Sequence, residues 1–142
     1  MKIGIDASNI RVGGGLNHLK ELLRSVEIEK YEIEKIVIWS CKTTLEEIEE
    51  KPWLKKCCEP VMEQSYFHRA IWQQKKLYSK LKEEKCDILF VPGGSFTTKF
   101  RPVVTMSQNL IPFESNEILR YGVSLLTIQF ILLRFFQSLS FK

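Results

Sequence analysis

Residues 2–23, KIGIDASNIRVGGGLNHLKELL, restrict the fold more than any other stretch. They read as a short buried strand over Lys2–Asp6, a loop ending in three consecutive glycines (Gly13, Gly14, Gly15), and an amphipathic helix. A strand, glycine loop and helix in that order set backbone N–H groups and the positive end of a helix at the carboxyl edge of a sheet. An anion such as a phosphate can be held there.

The rest of the chain predicts more of the same sheet. Over residues 15–27 the spacing puts Leu16, Leu19, Leu23 and Val26 on one helical stripe, with Lys20, Glu21 and Arg24 facing away. An unbroken apolar run, 36–39, suits a parallel strand covered on both faces. Thr44 with Glu47 three residues later has the form of a capping box opening a helix over 45–50, which Pro52 ends. A weak third strand is predicted over 57–61. A helix follows over 65–84, with Phe67, Ile71, Tyr78 and Leu81 inward and Gln73, Lys76, Lys80 and Lys82 outward. Strands over 87–91 and 102–106 complete the order strand, helix, strand, helix, strand, helix, strand, strand. That order predicts a Rossmann-like, doubly wound α/β fold, a mainly parallel sheet with helices on both faces.

With 142 residues, 44% of them hydrophobic, the chain is long enough for one domain, 1–142, and not for two. Its net charge of +4 is mild and spread out, which favours a solvated basic face over a nucleic-acid groove. Cys41, Cys57, Cys58 and Cys86 lack zinc-type spacing, and the chain opens on a charged strand rather than a signal segment. Free thiols in a reducing cytoplasm are the expectation. Residues 117–142 read as an apolar C-terminal helix interrupted at Gly122. Its apolar run, 123–133, is shorter than the roughly 20 residues a bilayer span takes. Two readings stay open for it: a buried helix, or one lying on a membrane surface or against a further domain. Lys75, Lys76, Lys80, Lys82 and Lys85 add to the case for peripheral membrane contact.

Three loops fall on the carboxyl edge. The glycine loop is not a dinucleotide fingerprint: it comes seven residues after the strand, has His18 where a third glycine belongs, and no acidic residue closes the second strand. Nor is it a P-loop. It is either a purely structural turn or a place where backbone without Cβ approaches a diphosphate. Pro92-Gly93-Gly94-Ser95 is either a tight turn or a binding loop. Ser107-Gln108-Asn109 is either an Asn/Ser turn before a proline or a loop whose amides and hydroxyl donate and accept together, as sugar recognition needs. Asp6, ending the first strand, is either a base or a carboxylate bonded to loop amides. His18 and His68 have no ligand partner at metal spacing, so no metal site is expected.

Taken together, the opening strand with Gly13-Gly14-Gly15, the strand running into Pro92-Gly93-Gly94, and VVTMSQNLIPFE (103–114) followed by Arg120-Tyr121-Gly122 resemble the amino-terminal half of a retaining GT-B glycosyltransferase of the group 1 or family 4 type. The resemblance covers nearly the whole chain. It implies an acceptor-binding domain that faces a second, nucleotide-sugar-binding domain, expected after about residue 142. Gly13, Gly14, Gly15 and Asn17 would approach the donor diphosphate. Gly93, Gly94, Ser95, Gln108 and Asn109 would line the acceptor pocket.

Many relatives have a His-Asp pair where this chain has Gln108-Asn109, so no catalytic side chain is assigned. That departure fits a retaining mechanism in which the departing phosphate takes the acceptor proton. The implied partners are a nucleotide-sugar donor, a glycan or lipid-linked acceptor and the missing domain, with no cofactor or metal and no nucleic acid. The implied location is the cytoplasm, with peripheral contact on the inner membrane face. The isolated domain would be inactive. The alternative is a non-catalytic module that binds a glycan or a protein through the same loops. An oxidoreductase is disfavoured by the missing third glycine and acidic ribose ligand.

Overall fold

The computed structural model describes residues 1–93, 96, 98–106, 113–120, 122 and 124–140. Among these, five strands form one all-parallel sheet: β1 (Lys2–Asp6), β2 (Lys35–Trp39), β3 (Leu54–Cys57), β4 (Ile88–Val91) and β5 (Val103–Thr105), in the order β3-β2-β1-β4-β5. The helices α1 (Gly14–Ser25), α2 (Lys42–Glu46), α3 (Tyr66–Trp72) and α4 (Tyr78–Glu83) alternate with the strands. The expected Rossmann-like α/β fold is borne out.

Side chains alternate across each strand and so build two cores. Ile36 and Ile38 of β2 join Ile5, Leu16, Leu19 and Leu23 on the α1 side. Val37 and Trp39 join Trp72, Leu77, Leu81, Leu89 and Val91 on the other. The stripe expected on α1 is present: Leu16, Leu19 and Leu23 are buried, and Val26 packs against the same core. Gly4 is needed for close packing on the second face. A Cβ there would fall on Leu81 Cδ2 and lie 3.2 Å from Trp39 Cζ3.

Four expectations need correction. The third strand runs over Leu54–Cys57 rather than 57–61, because Leu54 is its buried anchor opposite Ile36, while Pro60 opens a 3-10 turn (Pro60–Glu63). Thr44 does not cap α2 but lies inside it, wholly buried, and its hydroxyl donates to the Ile10 carbonyl (2.8 Å). Glu47 pairs with Lys20 instead (2.8 Å).

Third, the helix after β3 has another phase than its sequence spacing predicts. It runs through α3, a π turn over Gln73–Leu77, and α4. Phe67, Ile71 and Tyr78, expected inside, are exposed, whereas Trp72, Gln73, Leu77 and Leu81 are buried. Within α3 the buried face already carries Trp72 rather than Phe67 and Ile71, and the π turn, with its i→i+5 bonding, then brings Leu77, five residues on, to the face of Trp72.

The fourth is the tail. It forms α5 (Ser115–Arg120) and α6 (Leu125–Ser140), separated at Gly122, which adopts φ +57°. The buried reading of this helix does not hold. Leu125, Leu126, Ile128, Ile131, Leu132 and Phe135 are all at least half exposed, since helices already cover both faces of the sheet. No described helix is long and apolar enough to cross a membrane.

Candidate functional site

The strand order reverses beside β1: β2 and β3 extend the sheet one way, β4 and β5 the other. The carboxyl ends of β1 and β4 therefore flank the crevice where ligands of open parallel sheets bind. The β1–α1 loop stands over it, clamped from below. Ala7 N–H donates to the Trp39 carbonyl (2.9 Å), and the Ala7 carbonyl accepts from the Ser40 hydroxyl (2.9 Å) and Ile10 N–H (3.0 Å). With Thr44 on Ile10, these bonds fix the loop against β2 and α2.

Asp6 is 2% exposed. One carboxylate oxygen accepts from Ser8 N–H (3.1 Å) and the other from Gln73 Nε2 (2.6 Å), which also reaches Ser8 Oγ (3.3 Å). Burial pushes its carboxyl above the ordinary aspartate range, against the lowering effect of Ser8, Gln73 and Arg69. Of the two roles open for Asp6, this geometry matches the carboxylate bonded to its own loop. Gln73, expected on the solvent face, is its anchor.

The outer part of the loop is cationic. Arg69 Nε donates to Asn9 Oδ1 (3.1 Å), and its Nη1 donates to the Gln64 carbonyl. Arg11 donates to the Met62 carbonyl, and its Nη1 lies 3.9 Å from Glu63. Burial, reinforced by the neighbouring Arg11, holds the Arg69 guanidinium below its ordinary value. Burial raises the Cys41 thiol, but hydrogen bonds from Thr43 and Thr44 outweigh it, with help from Arg11, and hold the thiol below the usual range.

The glycine loop enters α1 beside this cluster. Gly13 adopts φ +77°, a conformation that favours glycine, and its carbonyl accepts from Asn17 N–H (3.1 Å). Among the described residues, a Cβ at Gly13 or Gly14 would meet no atom within 4 Å, so they leave the approach to the start of α1 open. That end has no side-chain cap and no acidic residue in its first turn. Gly15 is the second residue of the same turn, and Asn17 is exposed in it. On the β4 side, a Cβ at Gly93 would come within 3.8 Å of Asn9 Cβ, so the first two loops meet.

Gly13, Gly14, Gly15, Asn17 and Gly93 thus share one edge of the sheet, while Gly94, Ser95, Gln108 and Asn109 lie outside the described residues. Among the described residues no three His, Cys, Asp or Glu side chains converge on a common point. His68 Nδ1 pairs with Ser65 Oγ (2.8 Å). All four cysteines are free. Of the lysines named for membrane contact, Lys80 is paired with Glu59 (3.1 Å), and Lys82 lies over the Tyr78 and Phe100 rings.

Sequence reading missed Asn9, Arg11, Arg69 and Gln73. Asn9 and Arg11 carried a usable signal, since every residue between the end of β1 and Gly13 belongs to that edge. The five-residue step from Trp72 to Leu77 was the signal for Gln73. Compared with protein-family models, curated proteins and solved structures, the chain matches none.

Proposed function

We propose that the chain is the acceptor-side domain of a retaining, two-domain glycosyltransferase that uses a nucleotide-sugar donor and a glycan or lipid-linked acceptor. The observation that carries the reading is the meeting of the open Gly13-Gly14 helix start and the Gly93 loop at the β1/β4 switch point. One loop then serves the donor diphosphate and the other the acceptor.

In the proposed reaction the bond from the sugar's anomeric carbon to the donor phosphate breaks, and the acceptor oxygen bonds to that carbon on the same face. The acceptor proton passes to the departing phosphate oxygen. Asp6, buried and committed to Ser8 and Gln73, supports a mechanism in which the protein positions the partners rather than supplying a base.

The test is transfer from a panel of nucleotide sugars, with this domain joined or mixed with its donor-binding partner. Gly14→Asp adds a carboxylate in open space, so the fold should survive. Its charge opposes a diphosphate, and transfer should fall about 100-fold, the scale of losing one anion-stabilising contact. No transfer or hydrolysis from any donor, and no effect of Gly14→Asp on ligand binding, contradicts the reading. The exposed apolar residues of α6 favour a second reading, a non-catalytic glycan- or protein-binding module. On that reading ligand or partner binding persists without transfer.

A further inference from the structure

We propose that Arg69, with Arg11 beside it, forms a subsite for a phosphate-bearing acceptor next to the glycine loop. The word acceptor rests on the transferase reading; the oxyanion subsite does not.

Two guanidinium groups from separate elements are fixed on one short segment, Arg11 by the Met62 carbonyl and Arg69 by the Gln64 carbonyl. Arg69 is further oriented by Asn9, the residue whose Cβ adjoins Gly93, so its guanidinium is tied to the β1 loop where that loop meets the β4 loop. Local carboxylates offset their charge only in part. Among the described residues Arg69 forms no ion pair, and Asp6, which acts on it electrostatically, is buried and already bonded to Ser8 and Gln73. Glu63, 3.9 Å from Arg11, also accepts from Lys42 N–H (2.9 Å).

Two like charges held together by carbonyls repel, and an oxyanion placed between the loops relieves that repulsion. Arginine suits the task because its planar fork matches phosphate oxygens. On the transferase reading the donor diphosphate is assigned to the start of α1. A second anion at Arg69 therefore belongs to the other substrate, which points to an acceptor presented through a phosphate or diphosphate.

The experiment is an NMR titration of the 142-residue chain with inorganic pyrophosphate, reading the Arg69 Nε–Hε signal and the amides of Gly13, Gly14 and Gly15. A saturable shift at Arg69 is expected. Arg69→Gln should weaken that binding at least about tenfold, as loss of a charge-assisted contact does, and Arg69→Lys should weaken it less. Gly14→Asp should leave the Arg69 response in place. If Arg69→Gln does not fold, the Arg69 signal of the parent and the affinity of Arg69→Lys decide.

Shifts confined to the glycine amides, with Arg69→Gln binding like the parent, overturn the subsite and leave the donor loop standing. Stronger perturbation of Arg69 by glucuronate than by pyrophosphate overturns the phosphate assignment. An intact Arg69 response, in a protein whose paired domains transfer no sugar, removes the acceptor from the proposal and the transferase reading with it.

Discussion

Helix α1 and the helix running through α3, the π turn and α4 cover opposite faces of one sheet, but they do it differently. On α1 the apolar spacing is regular, and every residue of its stripe meets the core. On the second helix the local stripe of Phe67 and Ile71 faces outward, and the core is reached through Trp72, Leu77 and Leu81. The π turn carries the buried face on from Trp72 to Leu77, and its first residue, Gln73, bonds to Asp6. The regular helix is scaffold with an open end, whereas the irregular one reaches under the loop that builds the site. Such π turns are frequent at functional sites.

The largest effects should come from removing a core leucine on either side. Leu19→Ala and Leu81→Ala each empty a fully buried position and should cost about 2–5 kcal/mol in urea or thermal unfolding. A loss near zero for Leu81→Ala would mean that the second helix carries no core. Next comes Gly4→Ala, which collides with Leu81 and should cost about 1–3 kcal/mol. Combined with Leu81→Ala it should cost clearly less than the sum of the two, because the truncated side chain makes room.

Gln73→Ala takes a donor from a buried carboxylate and should cost about 1–3 kcal/mol. The smallest effect belongs to Phe67→Ser, within about 0.5 kcal/mol, since Phe67 is 70% exposed. A cost near that of Leu81→Ala would restore the stripe expected from sequence.

Most of the sheet was legible because parallel strands buried on both faces are written as continuous apolar runs, and because Leu16, Leu19 and Leu23 keep a strict helical period. β3 was less so: as an edge strand it is anchored by Leu54 alone, and its neighbours are lysines. Thr44 imitated a cap because local spacing does not reveal a tertiary partner such as the Ile10 carbonyl. The helix phase failed for the same reason, since a π turn is set by what the helix packs against.

The glycine half of the candidate site was readable from residue type and its place after a strand. The arginine half was not, because Arg69 meets Asn9 only through folding, across 60 positions of sequence. Gln73 was hidden too, since outward-facing glutamines are common on helices and nothing local marks one that turns inward.

The bond between the irregular helix and the end of β1 joins the scaffold to the candidate site, and the titration of the Asp6 carboxyl reads that bond. Its pKa, measured by carbon-detected NMR, should lie above the ordinary 3.8, raised by burial. Gln73→Ala should raise it further, because a donor to the charged form is gone. Between 3.8 and the folded value the native state then binds more protons than the unfolded chain. The contribution of Asp6 to stability therefore falls as pH rises through that window, and Asp6→Asn should flatten that part of the profile. An Asp6 pKa at or below 3.8 that is unchanged in Gln73→Ala would contradict the burial of Asp6 and its anchoring by the π turn.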